Sequence, residues 1–136
     1  MMEKKLILQN EVEQLSKLSD FIDSIAEELS IDSSMAMSLN LAIEEAVTNV
    51  VMYAYPEGEV GNVVIIANFT EGMLIFTISD NGIPFDPTSK TDADVTLNVE
   101  ERPIGGLGIF LVKNLMDFVG YERKNGYNIL TLKKKI

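Results

Sequence analysis

Two apolar runs in the middle of the chain, Asn62–Thr70 and Met73–Ser79, are separated only by Glu71 and Gly72. Both are rich in Val, Ile and Phe, which suit a pleated, half-buried surface. A two-residue break ending in glycine is the connection of an antiparallel hairpin. A hairpin alone does not bury its apolar face in water, so the flanking sequence must cover it. On the N-terminal side, Lys5–Leu8 predicts a first strand. Asn10, with Glu13 three residues on, predicts a capped helix start. Leu15, Leu18, Phe21, Ile22, Ile25 and Leu29 carry that helix forward at helical spacing. Asp32 predicts the cap of a second helix, which ends near Tyr55-Pro56. On the C-terminal side, 81–104 has no period and contains Pro84, Pro87 and Pro103, so it reads as a long loop. Gly105–Gly108 opens a third helix, Leu107 to about Met116. Phe118–Arg123 and Asn128–Lys133 then read as a closing hairpin around Asn125-Gly126. The order β-α-α-β-β-loop-α-β-β predicts an α+β domain: a two-layer α/β sandwich with helices on one face of a mixed sheet. No repeat or linker divides the chain, so 1–136 reads as a single domain.

Composition removes several chemistries. The 136 residues contain no Cys and no His. That excludes a disulfide framework, a thiolate nucleophile, a Ser-His-Asp triad and a His-ligated metal. Any metal must be a hard cation on oxygen ligands, such as magnesium. The net charge of −10 argues against nucleic acid and anionic membrane as direct partners. No apolar run approaches membrane-spanning length, and the N-terminus has no signal-peptide core. The expectation is a stand-alone cytoplasmic protein.

Three short patterns can carry chemistry. Glu45 and Asn49 stand four apart on the second helix, so both project from one flank, at the edge of the apolar arc. A carboxylate and an amide there suit a hydroxyl to be deprotonated and a magnesium ion; an ordinary solvated flank reads the same way. Asp80-Asn81-Gly82 follows an apolar strand directly. It reads either as a turn or as a strand-end carboxylate accepting a hydrogen bond from an amino group. Gly105-Gly106-Leu107-Gly108 leads into a helix, where exposed amides and the helix dipole suit phosphate. No Gly-Lys-Ser/Thr follows, so it is not a Walker loop. Arg102 lies just upstream, in reach of a phosphate.

In this order the patterns resemble the GHKL ATP-binding fold, the Bergerat fold of gyrase and histidine kinases. The similarity is greater to the anti-sigma-factor serine/threonine kinases. It covers essentially the whole chain, and its most specific piece is Arg102–Val112 followed by Leu115-Met116-Asp117. The resemblance implies Glu45 as catalytic base, Asn49 as magnesium ligand and Asp80 as acceptor for the adenine amino group. It implies that Gly82 admits the base close to the backbone and that Gly105, Gly106, Leu107 and Gly108 form the phosphate turn. Arg102 is implied as a contact to the terminal phosphate, and 83–104 as an ATP lid. The pattern departs from the family at Pro84, where a second glycine is common, and at Tyr53, where His or Lys is common. Tyr127 stands where Thr is common, leaving Thr131 as the candidate for the second polar contact to adenine.

The implied function is an ATP- and magnesium-dependent kinase that phosphorylates an anti-sigma-factor antagonist and also binds a sigma factor, with a homodimer expected. The alternative is a nucleotide-dependent partner-switching module that transfers no phosphate.

Overall fold

Buried side chains alternate with partly exposed ones along most of the two central strands, and this fixes which face of the sheet the helices cover. The computed structural model describes residues 2–56, 58–89 and 106–136. In chain order it contains β1 (Met2–Gln9), a short 3-10 turn (Val12–Gln14), α1 (Leu15–Glu28), α2 (Ser33–Tyr53), β2 (Asn62–Thr70) and β3 (Met73–Asp80). A second 3-10 turn (Pro87–Ser89), α3 (Gly106–Leu115), β4 (Phe118–Lys124) and β5 (Tyr127–Lys135) follow. The sheet order is β1-β2-β3-β5-β4.

The β2–β3 hairpin forms where the sequence places it. Glu71 and Gly72 take φ of 52° and 78°, the left-handed pair whose twist matches that of flanking strands. Asn125 and Gly126 do the same between β4 and β5, at 54° and 83°. The expected mixed sheet is not what forms: each of the four strand pairings is antiparallel. The reason lies in the connections. The α1–α2 pair returns the chain to the end it left, so Gln9 faces Asn62 and β2 must run back along β1. The α3 crossover does set β4 parallel to β3, but β5 enters between them and is antiparallel to both.

The helices bury one stripe each. Leu18, Ile22 and Ile25 of α1 and Leu39, Ile43, Ala46, Val47 and Val50 of α2 are buried. They form one cluster with Ile65, Leu74, Phe76, Ile78, Leu130 and Leu132 of the inner sheet face, joined by Ile109 and Val112 of α3. Asp32 caps α2 as expected, its carboxylate accepting from the Met35 amide at 2.8 Å. Asn10 does not cap α1. That helix starts later, at Leu15 behind the 3-10 turn, and the Gln14 side chain in the cap position makes no capping bond, its Oε1 accepting instead from Lys17 Nζ at 3.2 Å. Asn10 instead pins the α2–β2 loop: its Nδ2 donates to the Glu59 carbonyl at 2.7 Å and its Oδ1 accepts from the Gly61 amide at 2.8 Å. β1 also begins earlier than expected, at Met2. Among the described residues, no helix is long and apolar enough to cross a membrane.

Candidate nucleotide site

The inner sheet face is apolar until its last layer. On β3 the inward positions are Leu74, Phe76 and Ile78, and then Asp80; on β5 they are Leu132 and Leu130, and then Asn128. The register sets Asp80 opposite Asn128, and each is nearly inaccessible, at 2% and 3% exposure. A charge at this depth must be hydrogen-bonded or it neutralises. Asp80 Oδ1 takes two donors, the Asn128 amide Nδ2 at 2.9 Å and the Gly82 backbone N–H at 2.9 Å. Oδ2 has no donor among the described residues. Burial pushes the Asp80 carboxyl above its ordinary range, against the pull of Asn128, Gly82 and the Arg123 charge.

Asn128 is saturated. Its second Nδ2 proton goes to the Ile83 carbonyl at 2.8 Å. Its Oδ1 accepts from the Phe85 amide at 3.1 Å and from the Tyr121 hydroxyl. It thus ties the end of β3 to the first residues of the segment after it. Sequence reasoning did not single this residue out, although a polar side chain in phase with Leu130 and Leu132 was the available signal. Thr131, the expected second contact to the base, is one step out of that phase. It pairs with Thr77 and lies on the sheet face away from the helices.

Gly82 is required by packing. A Cβ there would lie 2.1 Å from the Ala54 carbonyl oxygen at the end of α2. The next amide, Ile83 N–H, donates to that same oxygen at 2.7 Å. Arg123 donates to the Gly82 carbonyl at 2.9 Å from the other side.

On α2 the steps Glu45, Asn49 and Tyr53 follow one stripe, each four residues apart. Asn49 is buried, and its Nδ2 donates to the Glu45 backbone carbonyl at 3.0 Å. That bond fixes which way the amide points. Its Oδ1 has no partner among the described residues. Glu45 is half-buried, and its carboxylate has no hydrogen bond or ion pair with a described residue. Burial pushes its carboxyl up, and the neighbouring Glu44 adds to the push. The Tyr53 ring meets the Phe85 ring with centroids 5.7 Å apart, which links this stripe to the segment anchored by Asn128.

The glycine-rich turn enters α3 at Gly106, so the backbone of Gly106, Leu107 and Gly108 forms its first turn. Arg102, Gly105 and the span 90–104 of the expected lid lie outside the described residues.

These side chains fit an adenine nucleotide with a hard cation. Among the described residues, Asp80 Oδ2 is a buried acceptor that no donor meets, and Asn49 Oδ1 is a buried hard oxygen without a donor. Among the described residues no group of three acidic side chains converges. A cation held here would therefore share one protein oxygen with phosphate oxygens and water, as magnesium does.

The profile of the family described as "Histidine kinase-like ATPase domain" matches residues 8–134. Proteins named serine-protein kinase RsbW, from Bacillus cereus and Bacillus anthracis, are 34% identical over 99 residues, 70% of this chain. The match spans 61% of the length of those relatives. Among solved structures, the RsbU and RsbW domains of a Mycobacterium tuberculosis protein superpose with a TM-score of 0.71 at 16% identity. That likeness covers 99% of this chain and 32% of that one. The histidine kinase domain of a blue-light activated histidine kinase from Erythrobacter litoralis gives 0.56 at 18% identity, over 90% of this chain and 59% of that one. At such identities the likeness is one of fold.

Proposed function

Because the chain belongs to the histidine kinase-like ATPase domain family, we propose that it is an ATP-binding anti-sigma regulatory factor and a serine/threonine protein kinase. Its substrate is an anti-sigma-factor antagonist, its second partner a sigma factor, and it works in the cytoplasm as a homodimer, with 1–136 forming one domain. The similarity to proteins named serine-protein kinase RsbW supports the protein substrate. The observation that carries the nucleotide is the buried Asp80 carboxylate, whose Oδ2 is unmatched among the described residues.

Bound magnesium–ATP supplies the phosphoryl group and the charge that neutralises its transfer. The chain's residues do the rest. Asp80 Oδ2 accepts from the adenine amino group, and the base lies against Gly82. Asn49 Oδ1 holds magnesium. The amides of Gly106, Leu107 and Gly108, with Gly105 and Arg102 ahead of them, hold the phosphates. Glu45 takes the proton of the attacking serine or threonine hydroxyl, and its raised pKa makes it the stronger base.

Thermal unfolding with ATP, ADP or GTP, each with magnesium and with EDTA, tests the pocket. Adenine nucleotide at about a hundred times its Kd should add roughly 2.7 kcal/mol, and GTP little. The Glu45→Ala variant should keep that shift and lose phosphotransfer to a purified antagonist by roughly 10²–10⁴-fold. Transfer at full rate would remove Glu45 from the role. Binding without transfer in the wild type would favour the partner-switching module.

A further inference from the structure

We propose that Asn128 is the residue that makes this pocket select adenine, by holding Asp80 so that Oδ1 is filled and Oδ2 is the acceptor left for the base. The inference rests on the nucleotide reading above. Its basis is the wiring of the amide. Asn128 Oδ1 already accepts from the Phe85 N–H and the Tyr121 hydroxyl. A flipped amide would set its NH2 against both donors, so Nδ2 is committed to donating. One of its protons goes to Ile83 O and the other to Asp80 Oδ1. With the Gly82 N–H on that same oxygen, Oδ1 is occupied, and a proton taken up by Asp80 would have to sit on Oδ2. Protonated, Oδ2 would donate instead of accept. It would then match the carbonyl of hypoxanthine or guanine in place of the amino group of adenine. Donation from Asn128 favours the ionised form and so keeps Oδ2 an acceptor.

The same four bonds have a second consequence. Asn128 holds the Ile83 carbonyl and the Phe85 amide, and the Phe85 ring meets Tyr53 on the Glu45–Asn49 stripe. The residue that orients the base acceptor therefore also anchors the start of the segment leading toward the phosphate turn.

The two shortest substitutions that separate these roles are Asn128→Thr and Asn128→Val, which are nearly isosteric. Both abandon Ile83 and Phe85. Only the threonine hydroxyl can still donate to Asp80 across the ladder, where facing residues lie close. The readout is the ratio of ADP to IDP affinity by calorimetry, with magnesium, at one pH. Asn128→Thr should keep the wild-type ratio. Asn128→Val should lose about tenfold of it, the worth of one hydrogen bond to a charged group. A purely structural role would weaken ADP and IDP in equal proportion in both variants, and that result overturns the proposal. Should Asn128→Val fail to fold, Asn128→Thr and Asn128→Ser carry the test: a ratio that collapses in both, despite a hydroxyl at each, also overturns it. Wild-type protein that binds neither nucleotide would refute the nucleotide reading itself, and this inference with it.

Discussion

Two polar corners sit at the same end of the sheet, and they differ in what is left over. At one, Asn10 uses both ends of its amide on the α2–β2 loop. Beside it the Tyr55 hydroxyl lies 2.7 Å from the Asn62 carbonyl and 3.0 Å from Asn81 Oδ1, and accepts from the Asn81 amide. A Cβ on Gly61 would overlap the Tyr55 ring, at 2.2 Å. At the other corner, Asp80 and Asn49 are more deeply buried than Asn10, and Asp80 Oδ2 and Asn49 Oδ1 have no partner among the described residues. The first corner is self-sufficient and serves the fold. Among the described residues the second leaves an acceptor and an amide oxygen over, which the proposed nucleotide and cation would engage. Unmatched capacity in a deeply buried polar group distinguishes the two, where residue type does not.

The largest effect that sharpens this contrast is expected from Asp80→Asn. The substituted amide oxygen can keep both donors, Asn128 and Gly82, so the fold should hold. Its NH2 then stands where Oδ2 stood and meets the adenine amino group donor to donor. Affinity for ADP should fall about a hundredfold or more, roughly 2.7 kcal/mol, while IDP suffers less. Unchanged ADP affinity by calorimetry would erase the distinction between the corners. A smaller effect of the opposite kind is expected from Tyr55→Phe. It should cost about 1 kcal/mol of unfolding free energy in a urea titration and leave ADP affinity within error. A tenfold loss of affinity would mean that the first corner also belongs to the site.

The smallest effect is the pH dependence of the free protein. Asp80 and Glu45 have folded-state pKa values raised above the ordinary 3.8 and 4.5. Between the unfolded and folded values the native state binds more protons than the unfolded one, so stability falls as pH rises through that window. The stabilisation is fully present below the unfolded values and lost above the folded ones. Asp80→Asn should remove the part due to Asp80, and a slope unchanged in that variant would contradict the assignment.

Much of this was legible in the sequence for reasons that remain local. The β2–β3 hairpin follows from a two-residue turn between period-two runs, and the Asp32 cap from an acceptor before an apolar helical stripe. The Glu45–Asn49 flank follows from helical spacing alone. What escaped is non-local. Asn10 has the credentials of a cap, but its partners lie 49 and 51 residues away. The expected mixed sheet fails because no local signal says that β5 will separate β3 from β4. Thr131 was a choice of residue type over phase. Counting in twos from Leu130 and Leu132 leads to Asn128 instead.

The placement of β5 has a consequence for how the domain is assembled. Its last strand is an interior one, contributing one side of the Asp80–Asn128 pair and lying between β3 and β4. Until residues 127–135 have docked, β3 and β4 both present bare edges to solvent, and such edges recruit other chains. The β3–β5 pairs join residues 48 to 62 positions apart, so these edges are covered only through long-range contacts, which form slowly. The Asp80–Asn128 corner closes only when that pairing forms. A nucleotide that binds there would act on folding as a clasp, withdrawing β5 and its neighbours from competition with aggregation.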